Sequence, residues 1–232
     1  MDESIRVLVV EDEDDIRNLV VMHLKRAGFD PLEAPDGQTA LSLAAEHEPP
    51  VILLDRMLPD ISGTEICARL RGRDGNSDAF IIMVTAMGEE DDRIAGFEVG
   101  ADDYVPKPFS IKELIMRVKA GARRVSRGFE TETAGEQIFG TLRIDISAHR
   151  AWVDDEELEL TATEYRLLHY LASNHGRMCG RGELLEKVWE LPPSLNTRTV
   201  DTHVKRLRQK LGSAAELVET VRGAGYRFRR FD

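Results

Sequence analysis

The chain has 232 residues and 26.1 kDa, is 42% hydrophobic and 31% charged, and carries a net charge of −11 with pI near 5.1. That length suits two small domains, and no apolar run approaches the roughly 20 residues of a membrane-crossing helix. The start, Met-Asp-Glu-Ser, lacks the basic region and apolar core of a signal peptide, which points to the cytoplasm, and Cys67 and Cys179 are too few for a disulfide framework.

The first half alternates between two periodicities. Val7–Val10 reads as a short buried strand followed by an acidic loop. Ile16, Leu19, Val20, Leu24 and Ala27 then recur at helical spacing, closed by Gly28. Apolar strands follow at Val51–Leu54 and Phe80–Val84, with a weaker one at Tyr104-Val105 and helical stretches between. Ser110-Ile111-Lys112-Glu113 is a capping box opening a last helix to about Arg124. Such alternation predicts an α/β domain, a doubly wound parallel sheet of five strands covered on both faces. Ser126–Glu136, rich in Gly, Ser, Thr and Glu, reads as a linker. The expected division is residues 1–125, a linker 126–136, and residues 137–232.

The second half is different. Ile138–Ile144, Arg150–Val153 and Leu158–Leu160 suggest short antiparallel strands. Thr161-Ala162-Thr163-Glu164 is a second capping box, starting a helix that turns Leu167, Leu168 and Leu171 inward. A second helix carries Leu184, Leu185, Val188 and Trp189, and a third spans about Thr197–Leu211. Val218–Val221 and Tyr226–Phe228 flank Arg222-Gly223-Ala224-Gly225 as a hairpin. Three helices closed by a hairpin make an α+β winged helix-turn-helix.

Ligands of open α/β sheets bind beyond the carboxyl ends of the strands. Glu11 and Asp12 follow the first strand, Asp55 ends the third, Thr85 ends the fourth and Lys107 follows the fifth. Three converging carboxylates repel one another unless a hard cation lies between them, and oxygen ligands with open positions suit Mg²⁺. A carboxylate so placed can attack a phosphoryl group. Lys107 can neutralise the transferring charge, and the Thr85 hydroxyl can donate to the bound phosphate.

Residues 5–124 resemble a receiver domain of the bacterial two-component response regulators, a flavodoxin-like fold. The matching stretches are Val9-Val10-Glu11-Asp12-Glu13, Leu54-Asp55-Arg56-Met57-Leu58-Pro59, Val84-Thr85-Ala86, and Gly100-Ala101-Asp102-Asp103-Tyr104 with Lys107-Pro108-Phe109. The resemblance implies that Asp55 accepts a phosphoryl group from a sensor histidine kinase. It implies Glu11, Asp12, Asp55 and the Met57 carbonyl as metal ligands, Thr85 and Tyr104 as a switch pair, and a cis Lys107-Pro108 bond. Pro106 removes a backbone donor beside the fifth strand. Met87 stands where many relatives carry a basic or polar residue.

Arg93, Glu98, Asp102 and Asp103 precede a helix carrying Glu113, Arg117, Lys119 and Arg124. A solvated face is one reading. Resemblance to OmpR/PhoB-type regulators implies instead a two-fold dimer on phosphorylation, with pairs Arg93–Glu113, Glu98–Lys119, Asp103–Arg117 and Asp102–Arg124 around Ile94, Phe97 and Met116.

Charge is unevenly spread. Up to Arg124 there are 15 basic and 25 acidic residues, a net of −10, whereas residues 195–232 hold 9 basic and 4 acidic, a net of +5. A local basic face is the footprint that matters for DNA. On the third helix Val200, Val204, Leu207 and Leu211 form one stripe, which leaves Arg198, Thr202, Lys205, Arg206 and Gln209 on the opposite side, flanked by Asp201, His203 and Arg208. Such a helix suits a major groove.

Residues 138–231 resemble the OmpR/PhoB-type DNA-binding domain. The matching motifs are Leu160-Thr161 with Glu164-Tyr165, Val188-Trp189, Arg198-Thr199-Val200-Asp201, Arg206-Leu207-Arg208 and Thr220-Val221-Arg222-Gly223 with Gly225-Tyr226. The resemblance implies Arg206 and Thr220 as major-groove contacts and Arg222 in the minor groove. Thr199, His203, Lys205 and Arg208 would touch phosphate, and the Trp189–Thr197 loop would face RNA polymerase holoenzyme. Gly180-Arg181-Gly182 departs from the polar helix cap usual in relatives. The pocket loops and the ending are similar to those of phosphate-regulon regulators.

Two rivals remain at this stage. A phosphatase with an aspartyl nucleophile needs a second acid two residues later, where this chain has Met57. A constitutive DNA-binding protein would not need the complete pocket. The reading is therefore a promoter-binding regulator, not a multiple-turnover enzyme.

Overall fold

The computed structural model describes residues 4–72, 76, 78–86, 100–127 and 135–231, in two compact units, Met1–Ser126 and Arg127–Asp232. No helix among the described residues is long and apolar enough to cross a membrane.

The first unit runs β1 (Arg6–Val10), α1 (Asp14–Arg26), β2 (Asp30–Ala34), α2 (Gly37–His47), β3 (Val51–Asp55), α3 (Gly63–Arg71), β4 (Phe80–Ala86), β5 (Asp103–Lys107) and α4 (Ile111–Arg127). The five strands are parallel in the order β2-β1-β3-β4-β5. Leu8, Val10, Ile52, Leu54, Ile81 and Met83 face one way and pack with α2 and α3. The alternate residues Val7, Val9, Val51, Leu53 and Ile82 are buried too, so both faces are covered. Burial on both sides explains the unbroken apolar runs of β1, β3 and β4. The edge strand β2, Asp-Pro-Leu-Glu-Ala, has no such run, and no apolar stretch marks it in the sequence. Pro106 lies on the other edge strand, β5, the place in a sheet where a missing backbone donor is tolerated. The Lys107-Pro108 bond is cis, as the resemblance implies. Helix α4 continues to Arg127, three residues beyond the expected end.

The second unit begins with a four-stranded antiparallel sheet of β6 (Glu136–Phe139), β7 (Leu142–Asp145), β8 (Arg150–Val153) and β9 (Glu156–Glu157). The run Ile138–Ile144 is thus two strands, not one, reversed at Gly140 with φ +64. Leu158–Leu160 is not a strand; the short β9 precedes it. Helices α5 (Ala162–Ser173), α6 (Arg181–Trp189) and α7 (Thr199–Leu211) follow, with β10 (Met178–Gly180) before α6 and the hairpin β11 (Val218–Val221) and β12 (Gly225–Phe228) at the end. The capping box at Thr161 and Glu164 forms as expected. Leu168, Leu171, Leu184, Trp189, Val204 and Leu207 fill the core between the helices. The result is a winged helix-turn-helix.

Candidate functional site

A parallel sheet brings every strand's carboxyl end to one edge. Glu11 lies just past β1, Asp55 closes β3, Thr85 is near the end of β4 and Lys107 closes β5. One carboxylate oxygen each from Glu11, Asp12 and Asp55 lies within 4.8 Å of the others. Glu11 and Asp55 are buried, whereas Asp12 is exposed. Lys107 Nζ donates to Asp55 Oδ2 at 2.6 Å and to Glu11 Oε1 at 2.8 Å. The Met57 amide donates to Asp55 Oδ1 at 3.0 Å, while the Met57 side chain stands in solvent. Thr85 and Tyr104 are half-buried, and Tyr104 packs against the sheet core.

One lysine serves two buried carboxylates. Burial pushes Glu11 up to about 7, and the nearby Asp55 charge adds to this, against the lowering effect of the Lys107 bond. Burial opposes the charge on Lys107, but its bonds to Asp55 and Glu11 outweigh that and hold its pKa above the ordinary value. Three hard oxygen donors around one undersupplied positive charge fit a divalent cation such as Mg²⁺.

Three residues absent from the expected site shape it. A Cβ on Gly63 would sit 2.1 Å from the Asp55 carbonyl oxygen, so only glycine lets α3 start this close to the acceptor. Asp60, in the loop after Asp55, accepts from the amides of Gly37 and Gln38 at 2.8 and 2.9 Å, which fastens that loop to the start of α2. Arg17 grips the backbone of the acidic loop, donating to the Glu11 carbonyl at 2.8 Å.

The expected intersubunit pairs need correction. Arg117 is buried and ion-paired within its own chain, to Asp103 at 2.5 Å and Glu113 at 2.7 Å. Asp102 is buried against Arg71 at 2.5 Å and accepts from the Ile81 amide. The Arg124 guanidinium lies over the Phe80 ring at 4.9 Å. These four side chains are held inside the first unit and are not presented to a partner. Met116 is half-buried and Lys119 exposed. Arg93, Ile94, Phe97 and Glu98, like Met87, lie outside the described residues.

The α7 face also needs correction. Arg206 is 4% exposed and lies 3.0 Å from Glu164, which is fully buried at the start of α5. Lys210 reaches the same carboxylate at 2.6 Å. His203 is fully buried edge-on to Trp189, and Thr199 is buried as well. Arg206, His203 and Thr199 therefore point into the domain rather than toward a groove. Arg198, Lys205 and Gln209 are exposed, with Thr202 and Arg208 half-buried beside them. Arg208 donates to the Val218 carbonyl and to Thr220 Oγ1 at 2.7 Å, tying α7 to the hairpin. Thr220 and Arg222 are exposed, Arg222 at the tip where Gly223 has φ +74. A Cβ on Gly182 would meet the Pro193 carbonyl at 2.8 Å, so the second glycine of Gly180-Arg181-Gly182 admits the loop between α6 and α7.

Two families match successive parts of the chain. The family described as "Response regulator receiver domain" matches residues 7–119, and "Transcriptional regulatory protein, C terminal" matches residues 155–228. The chain is 45% identical over 223 residues to the phosphate regulon transcriptional regulatory protein PhoB of Pseudomonas aeruginosa, covering 96% of each. It is 45% identical over 233 residues to the transcriptional regulatory protein SrrA of Staphylococcus aureus, covering 97% of this chain and 95% of SrrA. Among solved structures, it is similar to the response regulator DrrB, a Thermotoga maritima OmpR/PhoB homolog, with 32% identity, TM-score 0.50 and coverage of 98% and 100%. It is also similar to a RitR mutant, with 25% identity, TM-score 0.71 and coverage of 98% and 100%. A receiver followed by a transcriptional regulatory domain defines a DNA-binding transcriptional response regulator of a two-component system. This chain belongs to the OmpR/PhoB family of response regulators.

Proposed function

We propose that Asp55 is the phosphoacceptor and that its phosphorylation switches promoter binding by the winged helix. The observation that carries this is Lys107 bridging Asp55 and Glu11 at the carboxyl edge of the sheet. An Asp55 oxygen forms the new O–P bond as the N–P bond of a sensor histidine kinase's phosphohistidine breaks. The carboxylates of Glu11, Asp12 and Asp55 and the Met57 carbonyl would hold Mg²⁺, which supplies positive charge for the transferring group. Lys107 adds to that charge from its own side. The Thr85 hydroxyl donates to the phosphate on Asp55, and Tyr104 follows it inward.

Phosphorylation then favours a homodimer through a surface that includes Met116 and Lys119; Arg93, Ile94, Phe97 and Glu98, which the resemblance assigns to the same interface, lie outside the described residues. Two tethered winged helices would occupy direct repeats about 10–10.5 bp apart. Arg198, Thr202, Lys205, Gln209 and Arg208 form the groove-facing side of α7, joined by Thr220 and by Arg222 for the minor groove. The loop between α6 and α7 meets RNA polymerase holoenzyme. The protein acts in the cytoplasm and hydrolyses its own phosphate slowly, with no multiple-turnover activity. PhoB and SrrA are equally similar to the chain, so likeness selects no stimulus.

Acetyl phosphate with Mg²⁺ tests the acceptor. The wild-type chain takes up one acid-stable, base-labile phosphoryl group and Asp55→Asn takes up none; equal labelling of the two overturns the assignment.

A further inference from the structure

We infer that Arg17 is a positioning residue of the metal site, holding the backbone from which Glu11 and Asp12 project. This rests on the metal reading above and adds a residue to it. Arg17 Nη1 donates to the Glu11 carbonyl at 2.8 Å and reaches the Asp12 carbonyl at 3.5 Å. Its other terminal nitrogen binds the Asp14 carboxylate, and its Nε faces Glu33 of β2 at 4.0 Å. The Arg17 side chain is only 13% exposed, although α1 lies at the surface.

The local sequence explains why a residue one turn into α1 takes this part. The residue before α1, Glu13, makes no side-chain cap bond to the helix, so the usual local lock on a loop–helix junction is missing. On the sheet side, the Glu11 amide donates to the Ala34 carbonyl at 3.1 Å. Arg17 grips the next two peptide units, through the Glu11 and Asp12 carbonyls, so the loop is tied first to β2 and then to α1. Glu11 and Asp12 are adjacent residues whose side chains must converge on Asp55, so small rotations of those peptides would separate the three oxygens.

Positioning and simple charge predict opposite signs. Arg17 is a cation near a cation site, so by Coulomb repulsion alone its removal tightens metal binding. If its grip on the loop dominates, removal weakens binding, by about tenfold or more, as for other partners that orient metal ligands. Lysine keeps the charge but cannot reproduce the planar fork that puts one terminal nitrogen on the loop carbonyls and the other on the Asp14 carboxylate. The test is Mn²⁺ binding to the full chain by electron paramagnetic resonance, with Mg²⁺ as competitor, on wild type, Arg17→Gln and Arg17→Lys. Metal-free melting temperature is recorded in parallel. Both variants are expected to bind at least about tenfold more weakly with metal-free melting near wild type. Affinity unchanged or raised in Arg17→Gln overturns the positioning role. Should Arg17→Gln melt early, Arg17→Lys decides by the same criterion. Failure of wild type to bind either ion overturns the metal reading itself.

Discussion

Arg206 of α7 and Glu164 of α5 are ion-paired at 3.0 Å in the interior of the winged helix, and Glu164 also accepts from the Thr161 amide that it caps. One carboxylate thus starts α5 and fastens α7 to it. Arg206→Ala leaves this buried carboxylate with Lys210 as its remaining cation, and the expected loss is about 3 kcal/mol of stability in the second unit. Denaturant unfolding measures it. An unfolding midpoint equal to wild type, with sequence preference lost at one base pair, would show that the arginine turns outward onto DNA instead.

Lys205 is exposed one residue earlier on the same helix, and Arg222 is exposed at the hairpin tip. Truncation to alanine should cost Lys205 a phosphate contact and Arg222 a minor-groove contact. The slope of log K against log salt is then expected to fall by about 1 for Lys205→Ala, with operator and random DNA weakened alike. For Arg222→Ala, A·T-rich flanks should lose more than G·C-rich ones, because a narrow minor groove attracts arginine. Binding titrations across a salt series read both effects.

Arg117→Glu is expected to unfold the receiver rather than merely weaken a dimer. Arg117 is 1% exposed and holds Asp103, so the new carboxylate would sit against Asp103 and Glu113 in place of the cation that binds both. Breaking such a buried pair costs about 3–5 kcal/mol. Lys119→Glu, at an exposed position on the same helix, should leave melting unchanged and weaken self-association of the phosphorylated chain. Sedimentation and thermal melting of the two variants separate stability from association.

The two glycines at the start of α6 should respond in opposite directions. Nothing lies within 4 Å of a Cβ on Gly180, and its φ of −69 suits any residue. Gly180→Ser supplies the missing side-chain cap and restricts the unfolded chain, for a gain of about 0.5–1 kcal/mol. Gly182→Ala drives a methyl into the Pro193 carbonyl and should cost about 1–3 kcal/mol. Thermal melts of the pair check the sign of each.

The Met57 side chain is 70% exposed beside Asp55 and has no group to orient an attacking water. Met57→Asn is expected to speed loss of the phosphoryl group several-fold without changing its uptake. The decay of the phosphorylated fraction on Phos-tag gels measures the rate; an unchanged half-life removes the thioether from the explanation.

The receiver and its pocket were legible in the sequence because a parallel sheet buried on both faces writes its strands as apolar runs. The residue after each run must then lie at the carboxyl edge, which is enough to bring Glu11, Asp55, Thr85 and Lys107 together from sequence alone. The edge strand β2 was not marked, because it is only partly buried and needs no apolar run. Along α7, periodicity located the buried stripe of Val200, Val204, Leu207 and Leu211. It could not choose between Lys205 and Arg206, which lie about 130° to either side of that stripe at 100° per residue. Only the packing of α5 against one flank, with Glu164 waiting there, decided that Arg206 goes in and Lys205 stays out. The same held for Arg117 and Asp102. Charge on a helix or after a strand is equally consistent with a partner chain or with its own, and the tertiary distances of 2.5 Å to Asp103 and Arg71 settled both within the chain. A sequence states which side chains carry charge and how often they recur. Which neighbour neutralises them is set by contacts between segments far apart in the chain.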